Sequence, residues 1–331
     1  MKFGVSAGAG IEADPHPDPH PRTRRADAAQ RAATEHILTM ADQAGYGAAL
    51  IDAAAGTSVI TWPQFAQMVR AAARGLSRRG LLEADTAGIL VHDAVSHVVA
   101  VHTVRAAGAI AVPIRPSQSA TDIAAQLKHQ QARLLITSAA LAELAVQAAE
   151  RSWVRQVFAF GEAEGTTPFG SLLHTARHGQ LQANGSTSHY GHDSHNGHDG
   201  DHAAAQVLGL ASLGSDGLGA NSLGSDGRGA NSLGSDKLTA NSLGTDGLAA
   251  DGLASAIGLT HRDMVVAAPP CGDSDAYTSL LDLALAAGAT IVAAPLSQVT
   301  SAVGAYKGTV AIVPRGTDVL GLPAERVFTV D

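Results

Sequence analysis

From Ala48 to Phe160 the chain alternates short apolar runs with helical stretches, and that alternation restricts the fold more than any other feature of the sequence. "AALID" and "SVITW" are β-type runs separated by the Gly-containing "AAAGT", a pattern that predicts a hairpin. Pro63 then stands where a first helical turn tolerates proline. In "QFAQMVRAAARGLSRRG", Phe65, Met68, Val69, Ala72 and Leu76 recur at three- and four-residue spacing, and Gly80 stops the pattern. This is an amphipathic helix. Arg70, Arg74 and Arg78 share its other face, read here as a solvated face with an anion site as the alternative.

The cycle then continues. "AGILVH" (87–92), "AIAVPI" (109–114), "RLLITS" and "VRQVFAF" read as strands, and "VSHVVAVHTVRAAG", "ATDIAAQLKHQQ" and "AALAELAVQAAER" as the helices between them. Strand, helix, strand in continuous order demands crossover connections, and those produce a largely parallel sheet covered on both faces. The expected fold class is therefore α/β, doubly wound. Composition agrees with that: hydrophobic residues make up 45% of the chain but aromatics only 4%, so the core is built from Ala, Val, Leu and Ile.

Near Thr175 the pattern stops. Residues 178–256 read as a low-complexity insert, His-rich at first and then, over 212–251, one ten-residue phrase repeated four times. Regular structure resumes near Ile257: "HRDMVVAA" reads as helix, "YTSLLDLALAAG" as helix, and "ATIVAAP", "GTVAIVP" and "RVFTVD" as strands. The expected organisation is a disordered leader (1–28, with the extended "DPHPDPHP"), an α/β subdomain (29–177), the insert (178–256), and a continuation (257–331) that ends inside an unfinished βα series.

The formal charge is −8 and no basic stripe with interleaved aromatics occurs, which argues against a nucleic-acid partner. No run reaches the ~18 to 20 apolar residues of a membrane span, and the first residues lack the apolar core of a signal peptide. The lone cysteine, Cys271, excludes an internal disulfide and reads as a small buried hydrophobe. These features together predict a cytoplasmic protein.

Five phrases in order carry a resemblance. "ALIDAAAGTSVITWPQFAQMVRAAARGLSRRG", "AGILVHDAVSHVVAVHTVRAAGAIAVPI", "IAAQLKHQQARLLITS", "GLTHRDM" and "LALAAGATIVAAP" resemble the N-terminal domain of the adenylate-forming acyl-CoA synthetase and AMP-ligase superfamily. The resemblance implies that family's parallel-sheet domain and ATP-dependent activation of a carboxylic acid as an acyl-adenylate, with ATP or AMP and Mg as cofactors and an acyl ligand as partner. In the family a loop reading Ser-Ser-Gly-Thr-Thr-Gly-Leu-Pro-Lys-Gly precedes the Leu-Thr-His phrase and turns backbone N–H groups toward phosphate.

On that pattern the implied nucleotide-binding residues are Ser242, Gly244, Thr245, Gly247, Gly252, Thr260 and His261, and the four repeats resemble a phosphate loop multiplied in tandem. Two other readings of the repeats stand beside it, a Gly/Ser/Asn-rich insert without fixed structure and a calcium-binding β-roll. The match departs where the charge matters: no lysine falls at the loop position, where Ala254 and Ser255 stand counting back from His261 and Ala249 and Ala250 stand counting from Ser242, and each repeat carries an aspartate (216, 226, 236, 246). The family's Tyr-Gly-x-Thr-Glu phrase and C-terminal lid have no counterpart in these residues. Catalytic residues are thus unassigned, and the isolated chain is expected to be catalytically impaired, a non-catalytic relative, or one half of a split ligase whose partner chain supplies a C-terminal domain.

"HYGHDSHNGHDGDH" places His189, His192, His195, His198 and His202 in one short stretch. Imidazole suits Zn or Ni, so a weak metal-binding loop is one reading and a solvated insert the other. His92 with Asp93, and Ser96 with His97, are sequence neighbours, which by itself does not place them face to face. His129 reads as a surface residue.

Overall fold

A computed structural model describes residues 21–54, 58–174, 258–269, 274–319 and 321–330. The first described element is a helix, α1 (Pro21–Gln43). It corrects the expected leader, whose boundary at 28 falls inside this helix; residues 1–20 lie outside the described residues. The anticipated hairpin is present as β1 (Ala48–Asp52) and antiparallel β2 (Ser58–Thr61). Helix α2 (Trp62–Arg78) follows at once, so Trp62 belongs to the helix and not to the strand. The switch occurs at Thr61, whose amide donates to Gln64 Oε1 (2.9 Å) in a capping box.

The alternation then runs β3 (Thr86–Leu90), α3 (Ala94–Ala106), β4 (Ile110–Pro113), α4 (Ala120–His129), β5 (Ala132–Ser138), α5 (Ala142–Glu150), β6 (Gln156–Phe160) and the two-residue β7 (Thr167–Pro168). After the insert come β8 (Met264–Ala267), α6 (Ser274–Ala286), β9 (Thr290–Ala293), α7 (Val299–Tyr306), β10 (Val310–Pro314) and β11 (Arg326–Val330). The expected helix in "HRDMVVAA" is corrected to strand β8. Val265 and Val266 are fully buried on opposite faces between β9 and β10, a setting that favours β-branched side chains in an extended chain.

The strands form two sheets. Sheet B is all parallel in the order β4-β3-β5-β6-β7, and sheet A, in the order β11-β10-β8-β9-β1-β2, is parallel except for the hairpin. The early hairpin therefore joins the strands beyond the insert, through β1 on β9, and not its sequence neighbour β3. Alternation along each strand sends successive residues to different layers. Val265 and Ile291 face a central core shared with Ile89, Ile136 and Phe158 of sheet B and with α1, α2, α3 and α6. Val266 and Val292 face the other way, onto α7, while Leu135 and Val157 of sheet B pack under α4 and α5. The result is a five-layer stack of helix, sheet, helix, sheet and helix. Helix α3 lies in the middle, in contact with β3 and β4 on one side and β1 and β9 on the other.

The close approach of layers sets side-chain size at Gly75 in α2. A Cβ there would stand 2.3 Å from the Leu172 carbonyl oxygen of the 3-10 turn Phe169–Leu172. Gly75→Ala is expected to lower unfolding free energy by about 1–3 kcal/mol through overpacking against backbone. Gly304→Ala in α7, where the added methyl meets open space, should raise it by about 0.5–1 kcal/mol. Urea unfolding of the two variants checks the contrast.

A polar seam crosses the central helix layer. Thr34 of α1 bonds His102 Nδ1 (2.9 Å), His97 Nε2 bonds Thr278 of α6 (2.7 Å), and Arg105 Nη1 donates to Asp282 Oδ2 (2.6 Å). His102 Nε2 lies 3.4 Å from the other Asp282 oxygen. With the Thr34 hydroxyl donating to Nδ1, the ring proton sits on Nε2 and faces a carboxylate rather than setting a lone pair against it. Both rings are walled by aromatics: Phe65 stands edge-on to His102 and Tyr277 edge-on to His97. Burial holds both imidazoles neutral, with His97 pushed down to about 3 and His102 to about 4; Asp282 opposes this and Arg105 adds to it.

Candidate functional site

In open α/β sheets ligands gather beyond the carboxyl ends of the strands. At that edge sheet B contributes His92 and Asp93, just after β3, and Ser138, at the end of β5. Sheet A contributes Asp52, the last residue of β1. His92 Nδ1 and Ser138 Oγ are 2.6 Å apart, although 46 residues separate them. Ser138 is buried while the His92 side chain is half exposed, so the imidazole is the solvent-facing member of the pair.

Asp93 caps α3 by accepting from the Ser96 amide (2.7 Å), and its other oxygen lies 3.7 Å from His92 Nδ1. Burial pushes the Asp93 carboxyl above its ordinary value; the Ser96 bonds and His92 oppose that, and the negative charge of Asp52 adds to it. Asp52, whose Oδ1 accepts from the Ala54 amide (2.9 Å), thus communicates with Asp93 across the gap between the two sheets. Because the serine and the aspartate both approach the same ring nitrogen, this is not a nucleophile relay of the Ser-His-Asp kind.

The cluster accepts hydrogen bonds and holds or passes protons. Two carboxylates repel polyphosphate, so these residues suit ligand hydroxyl and amine donors and do not fit the triphosphate of a nucleotide. The arginines that follow strands at this edge are Arg115, after β4, and Arg315, after β10.

The sequence-assigned site residues fall in two groups. Ser242, Gly244, Thr245, Gly247 and Gly252 lie outside the described residues, as do His189, His192, His195, His198 and His202 and Cys271. Among the described residues no group of three or more His, Cys, Asp or Glu is arranged to hold a metal ion. Thr260 and His261 are described, and they lie before β8, at the amino end of sheet A. The length of β8, roughly 13 Å, separates them from the carboxyl edge. Thr260 is committed to a turn: its amide and hydroxyl donate to Asp263 Oδ2 (2.7 and 3.0 Å). Burial tends to raise the Asp263 carboxyl, but Thr309, Thr260 and Arg326 outweigh it and hold the group below its ordinary value. His261 packs beside Gly288.

The arginine face of α2 is not uniformly solvated. Arg70 forks onto both Asp42 oxygens (2.7 Å each), tying α2 to α1, and Arg78 donates to the His174 carbonyl (3.3 Å). His129 is exposed, as its sequence setting suggested. The His92–Ser138 contact was missed because nothing in the sequence pairs the ends of β3 and β5; strand order supplies it. Among the described residues no helix is long and apolar enough to cross a membrane.

Comparison with known proteins bears on the fold. Residues 40–180 match the family of AMP-binding enzymes. Among solved structures, the chain is similar to the long-chain-fatty-acid–CoA ligase FadD1 of Archaeoglobus fulgidus (16% identity, TM-score 0.54, covering 85% of this chain and 51% of that one). It is similar also to the amide bond synthetase McbA of Marinactinospora thermotolerans (15% identity, TM-score 0.55, 91% and 54% covered). A third is the N-terminal domain of FACL13 of Mycobacterium tuberculosis, solved with an inhibitor (16% identity, TM-score 0.53, 85% and 63% covered). The chain spans about half the length of the first two. Residues 40–180 thus match the AMP-binding enzymes, and the chain has the N-terminal-domain fold of the adenylate-forming acyl-CoA ligases.

Proposed function

We propose that this chain is an AMP-dependent ligase-like protein whose relatives activate carboxylic acids as acyl-adenylates, and that as an isolated chain it is catalytically impaired. The observation that carries the reading is the AMP-binding match over 40–180 on a ligase-type pair of sheets. Impairment is argued from composition within the chain. Ala254 and Ser255, or Ala249 and Ala250 when the loop is aligned on Ser242, stand where the resembling loop has proline and lysine, and four repeat aspartates precede them. A phosphate cradle without its cation loses the charge stabilisation that phosphoryl and adenylyl chemistry depends on.

A second reading is a non-catalytic acyl-, nucleotide- or protein-binding relative or one half of a split ligase; the two carboxylates at the strand edge, which repel a triphosphate there, support its non-catalytic part. Mg would accompany ATP under the first reading. Weak Zn or Ni chelation by the histidines of 189–202 rests on the sequence alone. A cytoplasmic setting, which keeps a thiol such as Cys271 reduced, belongs to the same proposal.

A hydroxamate-trapping assay with Mg and ATP over a panel of carboxylic acids, run beside calorimetric titration of AMP, tests this. The expected result is nucleotide binding without trapped acyl-adenylate. Turnover above background would overturn the impairment, and absence of any nucleotide or acyl binding would overturn the ligase reading. Turnover recovered on adding a separately expressed ligase C-terminal domain would select the split enzyme.

A further inference from the structure

We propose that the cleft at the amino-terminal edge of sheet B is a binding site for a planar aromatic anion. The cleft has a volume of about 290 Å³ and is lined by Trp153, Arg133, Arg155, Asp85, Gln131 and Ala84, among others. It lies at the opposite end of β5 and β6 from the His92–Ser138 pair, roughly 20 Å away along the strands. It is therefore separate from the edge where the proposed ligase chemistry belongs, and it does not depend on that reading.

Trp153 sits in the short connection from α5 to β6 and is 61% exposed. An indole held on a rim in this way offers a flat π face, the part of a protein that planar rings stack on with little regard to their substituents. The two arginines are held next to each other, since the Arg155 amide donates to the Arg133 carbonyl (2.9 Å). Asp85 orients Arg133, with Oδ1 at 3.3 Å from its Nε, and spends its other oxygen on the Leu82 amide (2.9 Å). Its charge is thereby engaged on the cleft's own wall, while the Arg155 side chain forms no ion pair among the described residues. A ligand anion finds one oriented and one uncommitted guanidinium beside an aromatic face.

The backbone adds a separate observation. Among the described residues three non-glycine residues have left-handed φ, and two of them, Ala84 (62°) and Gln131 (53°), line this cleft. Glycine would adopt either conformation without steric cost, so both residues carry backbone strain on the wall of this cleft. Gln131 is the residue just past the end of α4, the position where helices most often place glycine.

The volume suits a single ring system with its charged group, not a larger ligand. Both a nucleoside monophosphate and an aryl carboxylate have this chemistry. Each is titrated separately, as AMP and as benzoate, into the full chain with tryptophan fluorescence as readout. Trp62, the other tryptophan, is buried in the core and shielded, so quenching at the cleft reports on Trp153. The expected result is saturable quenching by at least one probe, with Kd in the millimolar range or tighter. The signal should vanish in Trp153→Phe, weaken about tenfold in Arg155→Gln, and stay unchanged in the control Arg262→Gln at the far sheet. AMP alone identifies a nucleotide site, benzoate alone an aryl-carboxylate site. No saturation with either probe, or equal saturation in Arg155→Gln, overturns the proposal. Nucleotide held at the carboxyl edge leaves Trp153 unchanged, so failure here and failure of the ligase reading are told apart.

Discussion

Replacing Asp282 with alanine is expected to lower the unfolding free energy by about 3–5 kcal/mol, the cost of leaving a buried charge without its partner. Arg105, whose side chain is 6% exposed, donates to Asp282 at 2.6 Å, and its Nε has no hydrogen-bond partner among the described residues. Removing the carboxylate strands that guanidinium between α3 and α6, with the His102 N–H beside it. A typical domain has only about 5–15 kcal/mol to lose. The double variant Arg105→Met, Asp282→Leu separates lost pairing from lost shape. It should recover most of the stability, because two apolar side chains of similar reach remove both desolvation costs together. Urea midpoints of the wild type, the single variant and the double variant measure this. A single variant within about 0.5 kcal/mol of wild type would show that the pair is solvated and the seam open.

Acid should destabilise the fold well before the carboxylates titrate. His97 and His102 have folded-state values of about 3 and about 4 against 6.5 for the free ring, so between those limits the unfolded chain binds more protons than the folded one. Stability is then fully present above the unfolded value and is lost as the pH falls from about 6.5 toward 4. For both rings together the loss is on the order of 5 kcal/mol. The surrounding charges are Arg105 on α3, Asp282 on α6, and Arg31 and Asp27 on α1, which lie close enough to Arg105 for their fields to overlap. Asp42 and Asp263, held below their ordinary values, lose their contribution only at lower pH, and Asp93, pushed up, acts in the opposite direction. Thermal melts across this range should show a steep fall in Tm that flattens in a His97→Gln, His102→Gln variant. An equal slope in both proteins would refute the assignment.

Element order was readable because burial period is local. Phe65, Met68, Val69, Ala72 and Leu76 mark one helical face without reference to anything beyond α2, and each is buried against the central core. "HRDMVVAA" misled for the complementary reason. A four-residue apolar run has no period of its own, and its neighbours β9 and β10 decide that it is extended. The amino-terminal helix escaped notice because its anchors are distant: Thr34 on His102 spans 68 residues and Asp42 on Arg70 spans 28. Thr260 and His261 fall away from the candidate site, at the amino end of sheet A, in a turn that Asp263 closes and Arg326 of β11 braces, a placement that no local motif encodes.

What the sequence determined by itself was the succession of strands and helices, the parallel connection this succession forces, and the phrases shared with the ligases. These follow from side-chain periodicity and from the handedness of crossover connections, both properties of consecutive residues. Only the tertiary structure decided that the strands divide into two sheets, that β1 pairs with β9 across the insert, and that His92 meets Ser138 while His97 meets Thr278, 181 residues away. Such pairings depend on which surfaces exclude water from one another once the layers stack, and that choice is made by the assembled core and not by any single segment.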